Sequence, residues 1–194
     1  SGVSLAYFLN KYKAKNIVLI EKNFIASGAT GKAAGSIVLK GEFDLKEIIQ
    51  EYGQKKGGDF WNENHRGLKL IKEIIQKERI QCDFNEEDTI YGDAKRKYDL
   101  QVLEEYIVEK DIENLTKLIV GKELNKEINT PLFKYAILSH KQGISLNPLQ
   151  FTQNLSRVID KKGVVVYENT PLMYVKKSTA ITPKGKITFK KIII

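Results

Sequence analysis

Apolar residues recur along the first part of the chain with two different periods. From Ser4 to Tyr12 they fall at Leu5, Tyr7, Phe8, Leu9 and Tyr12, the spacing of one helix face. Asn16 to Lys22 (NIVLIEK) is instead a short unbroken apolar run ending in Glu21. That pattern predicts a strand buried on both faces of a parallel sheet. Residues 26–36 (ASGATGKAAGS) are small and glycine-rich, which predicts a loop, or a loop leading into a helix. Asp44 to Lys56 and Asp59 to Arg79 read as two amphipathic helices broken at Gly57-Gly58. Leu68, Ile71, Ile74 and Ile75 form the apolar face of the second. A short strand is expected at Thr89 to Tyr91, helix over Asp93 to Lys110 and Asn114 to Ile119, and a strand over Phe133 to Ser139.

Asn147-Pro148 is a helix start, with Asn as N-cap and Pro at the first helical position. That helix should run to about Lys162 and stop at Gly163. Val164 to Glu168 is again a continuous apolar strand. Leu172 to Lys177 and Lys186 to Phe189 predict a hairpin turning at Pro183-Lys184-Gly185. Lys191 to Ile194 reads as the start of one more buried strand. The order implies a mixed α/β architecture. A nucleotide-binding layer would be assembled from both ends, 1–40 and 147–194. The stretch 41–146 would be an inserted helical and α+β region.

Composition narrows the function classes. The chain has 194 residues, 42% of them hydrophobic, enough to exclude a disordered tail. No apolar run approaches the roughly 20 residues that span a bilayer. The formal net charge of +8 is carried almost entirely by lysine. Arginines occur only at Arg66, Arg79, Arg96 and Arg157, and the lysines are interleaved with acids. That is the pattern of a solvated surface, not of a nucleic-acid reader. The one cysteine, Cys82, fits a reducing, cytoplasmic compartment. The only methionine is Met173, so no initiator methionine is present. The expectation is a fragment of a longer protein.

Two segments carry chemistry. Gly2, a helix, and a strand ending in Glu21 reproduce the second half of a dinucleotide-binding βαβ unit. There the last glycine lets helix and strand approach, and the acid accepts hydrogen bonds from a ribose. An ordinary helix–strand pair with a solvated Glu21 has the same pattern, so the residues leave both readings open. The loop 26–36 lacks the Asp, Asn and Pro of a common surface loop. Its N–H groups, the Ser27 and Thr30 hydroxyls and Lys32 suit a phosphate. Tight packing of a helix start against a sheet is the other reading.

The succession SGVSLAYFL, NIVLIEK, ASGATGKAAGSI, Tyr135-Ala136, GISLNPLQF and GVVVYENTPL resembles the FAD-dependent oxidoreductases of the D-amino-acid oxidase superfamily. Glycine oxidase, sarcosine oxidase and gamma-glutamylputrescine oxidase-like proteins are the nearest groups. The resemblance implies a partial Rossmann-like FAD layer of the glutathione-reductase type with an inserted α+β substrate-side region. Gly2 matches the last glycine of the FAD fingerprint. Glu21 matches the acid on the adenosine ribose, beside Lys22. Ser27, Gly28, Ala29, Thr30 and Lys32 match the loop along the pyrophosphate and ribityl chain. Ala33, Ala34 and Gly35 would lie near the isoalloxazine ring, and Leu172 near adenine. Asn147 and Pro148 match the turn before the helix returning to the FAD domain. Tyr135 is the substrate-side candidate.

The family's reaction is hydride transfer from an amine-bearing carbon to flavin, giving an imine that hydrolyses. The fingerprint's first half and the downstream substrate-binding strands lie outside this sequence. Two alternatives stay open: a truncated α/β interaction module without redox activity, and a flavoenzyme of the same superfamily acting on a substrate such as glycerol phosphate. His65, His140 and Cys82 show no metal-ligand or nucleophile spacing. Phe60 and Trp61 read as core.

Overall fold

A computed structural model describes residues 2–40, 43–92, 99–112, 115–132 and 134–194, with backbone only at 99–101 and 111–112. The elements run α1 (Gly2–Lys11), β1 (Val18–Ile20), a 3-10 turn (Thr30–Lys32), β2 (Ser36–Val38), α2 (Leu45–Tyr52) and α3 (Gln54–Glu78). They continue as β3 (Asn85–Tyr91), α4 (Asp99–Ile112), β4 (Thr116–Val120), α5 (Gly121–Glu127), β5 (Tyr135–Ser145) and α6 (Pro148–Lys161). The chain closes with β6 (Val165–Tyr167), β7 (Tyr174–Lys176), β8 (Thr179–Thr182) and β9 (Gly185–Thr188). Two compact units result: Ser1–Gly35 with Ile75–Cys82 and Asn147–Ile194, and Ser36–Ile74 with Asp83–Leu146.

In the first unit β1 and β6 pair in parallel, Val18 opposite Val165 and Ile20 opposite Tyr167. Asn16 takes a left-handed conformation, φ 57°, which keeps it out of the ladder and shortens the expected strand. Val18, Val165 and Tyr167 are exposed, so the described residues do not cover both faces of these strands as their unbroken apolar runs predict. Helices α1 and α6 supply the core through Val3, Ala6, Tyr7, Leu155 and Ile159. The Tyr7 hydroxyl donates to Glu78 Oε1 at 2.9 Å, and Lys162 Nζ reaches the same oxygen at 2.6 Å. Burial and the Glu78 carboxylate push the Tyr7 phenol up to about 12. Asn147 caps α6 as its sequence predicts: Oδ1 accepts from Gln150 N at 3.1 Å. The helix stops at Gly163, whose φ of 89° suits glycine.

The expected hairpin is a three-stranded meander, β7-β8-β9, with β7 paired to β8. Strand β8 carries no sequence signal of its own, because TAIT is too short and too polar to stand out. Lys191 to Ile194 forms no strand, and Ile193 and Ile194 are exposed. A strand needs a ladder partner, and this segment has none among the described residues.

In the second unit β5 is the central strand of an antiparallel sheet. Strand β3 runs along one edge, while β2 and β4 share the other. The register shifts between Glu87 and Thr89, and Asp88 fills the irregularity. Asp88 Oδ1 accepts Lys141 N at 2.8 Å and meets His140 Nδ1 at 2.9 Å. The Lys141 N–H, with His140, holds that carboxyl below its ordinary range.

Two expectations fail here. The helix break falls at Gly53, φ 87°, not at Gly57-Gly58. Gly57 lies inside α3 with Ile49 of α2 packed against it: a Cβ there would sit 2.3 Å from Ile49 Cγ1. Residues 116–119 form a strand, not a helix, because Ile119 is buried with Leu124 and Ala136 between β4, α5 and β5. The start of the Asp93–Lys110 helix, Asn114 and Phe133 lie outside the described residues.

Candidate functional site

The loop following β1 is built from the first unit. Glu21 N extends the ladder to Tyr167 O at 2.9 Å, and Thr170 N donates to Glu21 O at 2.8 Å. The half-buried Glu21 side chain accepts Asn23 N at 2.9 Å through Oε1. Ile25 anchors the turn: its side chain is buried, its N–H donates to Glu168 Oε1 at 2.6 Å, and its carbonyl accepts Gln153 Nε2 at 3.4 Å. The loop is thereby tied to the end of β6 and to α6.

From Ala26 onward the backbone coils on itself. Ala26 adopts φ 65°, and Gly31 N donates to Ala26 O at 3.1 Å. Ser27, Lys32 and Ala33 donate to Phe24 O, Ala29 O and Thr30 O. The N–H groups of Gly28, Ala29 and Thr30 take no part in these bonds. Those three residues, with Lys32, Ala33 and Ala34, are exposed, while Ser27 and Gly31 are half-buried and Gly35 is buried at φ 81°.

The glycines differ in what requires them. A Cβ on Gly31 would lie 2.2 Å from Ala26 O, so the fold itself demands glycine. A Cβ on Gly2 would meet Leu19 Cδ1 at 3.2 Å, the close helix–strand approach of a dinucleotide-binding unit. Gly28 has nothing within 4 Å and no left-handed φ, so nothing in the described fold asks for its smallness. An open glycine among exposed small residues, with N–H groups outside the loop's own bonds, fits a pyrophosphate brought against the backbone. The first turn of α1 contains no acid, and the positive end of a helix favours an anion.

The structure thus brings Gly2, Glu21, Lys22, Ser27 to Lys32, Ala33, Ala34, Gly35 and a half-buried Leu172 into one unit. Tyr135 belongs to the other unit, half-buried at the start of β5 opposite Val120. His65 stacks edge-on against Trp61, with ring centroids 5.7 Å apart, and Cys82 is buried. No group of His, Cys, Asp and Glu able to hold a metal occurs among the described residues.

A second polar group was not foreseen from the sequence. In the second unit Lys40 Nζ lies 2.9 Å from Glu109 Oε1 and 3.3 Å from Glu105 Oε1. It also sits 3.3 Å from the Tyr91 ring centroid. The signal for it was present: Val102, Glu105 and Glu109 follow the i, i+3, i+7 spacing of one α4 face. Glu105 accepts Leu45 N and Lys46 N at 2.8 and 2.9 Å, capping α2. Burial pushes the Glu109 carboxyl up to about 7, against the opposing pull of Lys40.

Known proteins resemble this chain in sequence and in fold. The chain is 27% identical over 91% of its length to a Bacillus subtilis (strain 168) protein whose name gives it only provisionally as a Rieske 2Fe-2S iron-sulfur protein. It is 24% identical over 92% of its length to gamma-glutamylputrescine oxidoreductase of Escherichia coli (strain K12). It spans 33% and 42% of those two proteins. The single cysteine here cannot supply the two that a Rieske centre takes, so that part of the first name does not transfer to these residues. The fold matches L-amino acid deaminase from Proteus vulgaris with a TM-score of 0.74 at 20% identity, over 96% of this chain and 43% of that one. The family model for FAD dependent oxidoreductases matches residues 1–194, and the chain belongs to that family.

Proposed function

We propose that this chain carries a large part of the FAD-binding machinery, and the start of the substrate-side region, of an oxidoreductase acting on an amine or amino acid. Residues 1–40 and 147–194 would form the FAD side, and 41–146 the substrate side. The observation that carries the reading is the loop 26–35, folded on itself through Gly31 yet exposing Gly28, Ala29 and Thr30. Bound FAD would take up the hydride leaving the amine-bearing carbon.

The chain's own residues bind and orient. The N–H groups of Gly28 to Thr30, the Ser27 and Thr30 hydroxyls and the α1 N-terminus would hold the pyrophosphate. Lys32 adds charge there. Glu21, with Lys22 beside it, would receive the ribose hydroxyls, its orientation already set by Asn23 N–H. Ala33, Ala34 and Gly35 leave room for a flat ring, and Leu172 offers an apolar surface to adenine. Tyr135 is the side chain proposed on the substrate side. The names of the E. coli and Proteus proteins favour an amine or amino-acid substrate for the longer protein.

Purified protein should bind FAD, seen as a visible flavin spectrum, and Glu21→Gln should weaken that binding. A colourless protein that takes up no FAD on titration would sink the reading for this chain. With the longer protein, imine or peroxide formation across a panel of amines, amino acids and glycerol phosphate separates the substrate classes.

A further inference from the structure

In the second unit α2 and the start of α3 leave a groove of about 290 Å³ open on the surface. Two rows on α2 line it, Ile48 with Tyr52 and Glu47 with Glu51, and one row on α3, Lys56 with Phe60, each spaced i, i+4. Phe43, just before α2, adds a third ring. Phe43, Tyr52 and Phe60 are 65%, 55% and 46% exposed. Phe60 reads as core in the sequence, but its neighbour Trp61 takes the buried position of α3 and Phe60 is left outside. Three exposed rings in one groove, rimmed by charge, have the make-up of an interaction surface. The charges of the rim divide by element: both carboxylates belong to α2 and the ammonium to α3. No ion pair joins them among the described residues. Glu47 Oε2 caps α2 by accepting Asp44 N at 3.2 Å, while Glu51 takes only the hydroxyl of the neighbouring Tyr52. Glu51 and Lys56 are therefore the charges left for a partner.

We propose that this groove is a self-complementary docking surface for a second copy of the chain, joining two copies about a twofold axis. A patch with an apolar centre, an acidic edge and a basic edge matches itself after a half-turn. The rings of the two copies pack on each other, and Glu51 of each meets Lys56 of the other. Other occupants leave an edge unmatched. A basic segment answers Glu47 and Glu51 but meets Lys56, and an anionic bilayer answers Lys56 but meets both carboxylates. The surface uses none of the residues assigned to FAD or to the amine, so it stands or falls separately from that reading.

Sedimentation velocity on the purified chain, with FAD present, reads the association directly. Expected is a reversible monomer–dimer equilibrium that shifts with protein concentration. Tyr52→Ser and Phe60→Ser should each raise the dissociation constant about tenfold or more. Glu51→Lys and Lys56→Glu each bring like charges together twice in the dimer and should weaken it about tenfold. An equimolar mixture of those two variants should recover the dimer, because every facing pair is then opposite in charge. Lys186→Glu, an exposed charge change on β9, should leave the equilibrium unchanged. A chain that stays monomeric up to about 1 mM overturns the proposal. So does a dimer indifferent to Phe60→Ser or to both charge reversals, and so does a mixture of the reversed variants that fails to recover it. A monomer that instead pellets with vesicles of phosphatidylcholine and phosphatidylglycerol, and loses that binding in Phe60→Ser, assigns the groove to a lipid surface and overturns the dimer as well. Where Phe60→Ser does not fold, the exposed charge variants and their mixture decide.

Discussion

Gly28 and Gly31 lie three residues apart in the same loop, and alanine at each should fail in opposite ways. At Gly31 the new Cβ would stand 2.2 Å from Ala26 O and 3.1 Å from Leu149 Cδ1. Ordinary contact is 3.4 Å or more, so the Ala26 carbonyl must retreat by about 1 Å. That movement breaks the 3.1 Å bond from Gly31 N. Overpacking of this kind costs roughly 1–3 kcal/mol, and the lost hydrogen bond about 1 kcal/mol more. Gly31→Ala should therefore destabilise the FAD-free protein by about 2–4 kcal/mol, read as a lower urea midpoint at unchanged slope. At Gly28 the Cβ meets nothing, and the FAD-free protein should change by less than about 0.5 kcal/mol. FAD binding should suffer instead, by about tenfold, or about 1.4 kcal/mol, because the methyl would stand where we propose that the pyrophosphate approaches. The assay is one urea melt and one flavin-fluorescence titration per variant. Equal loss of stability in both variants would refute the reasoning about the loop. Unchanged FAD affinity in Gly28→Ala would refute the assignment of its exposed face.

Gly58 and Gly67 sit inside α3 with nothing within 4 Å of a Cβ, so alanine at either should raise stability by about 0.5–1 kcal/mol in a urea melt. Gly57→Ala, by contrast, drives a methyl to 2.3 Å from Ile49 Cγ1 and should lower it. Glu168→Ala removes the acceptor of Ile25 N and should cost about 1–2 kcal/mol, with weaker FAD binding because the loop loses its anchor. Glu109 binds its proton more tightly folded than unfolded, about 7 against 4.5. The folded state then holds the extra proton, so stability falls as pH rises from about 4.5 through 7. That slope should be absent from Glu109→Gln melts across the same range. Burial acts to raise the Glu78 carboxyl, but the hydrogen bonds from Lys162 and Tyr7 outweigh it and hold the group low. Its contribution is present above the ordinary value of 4.5 and is lost as pH falls through the depressed one. Glu78→Gln should flatten the acid limb of the stability profile.

What could be read from the residues was chemistry confined to a few neighbouring positions. Asn147-Pro148 caps a helix because the cap closes within three residues, and Gly163 ends it because its left-handed φ is a local need. The helical period of residues 5–12 and the apolar runs before Glu21 and Glu168 needed no distant partner to be recognised. The small-residue loop was legible for the same reason, as were the motifs that imply FAD. What only the tertiary structure decided depends on residues far apart in sequence. Residues 116–119 became a strand because β5 offers a ladder and the α5 cluster buries Ile119. Gly57 stays helical because Ile49 packs against it, and the break moves to Gly53. Gly31 and Gly28 look alike in the sequence, and only the position of Ala26 O separates a glycine the fold requires from one it leaves open. The Lys40, Glu105 and Glu109 cluster likewise joins positions more than 60 residues apart. Local propensity acts within a turn or two of chain, while burial and charge pairing act wherever the fold brings groups together.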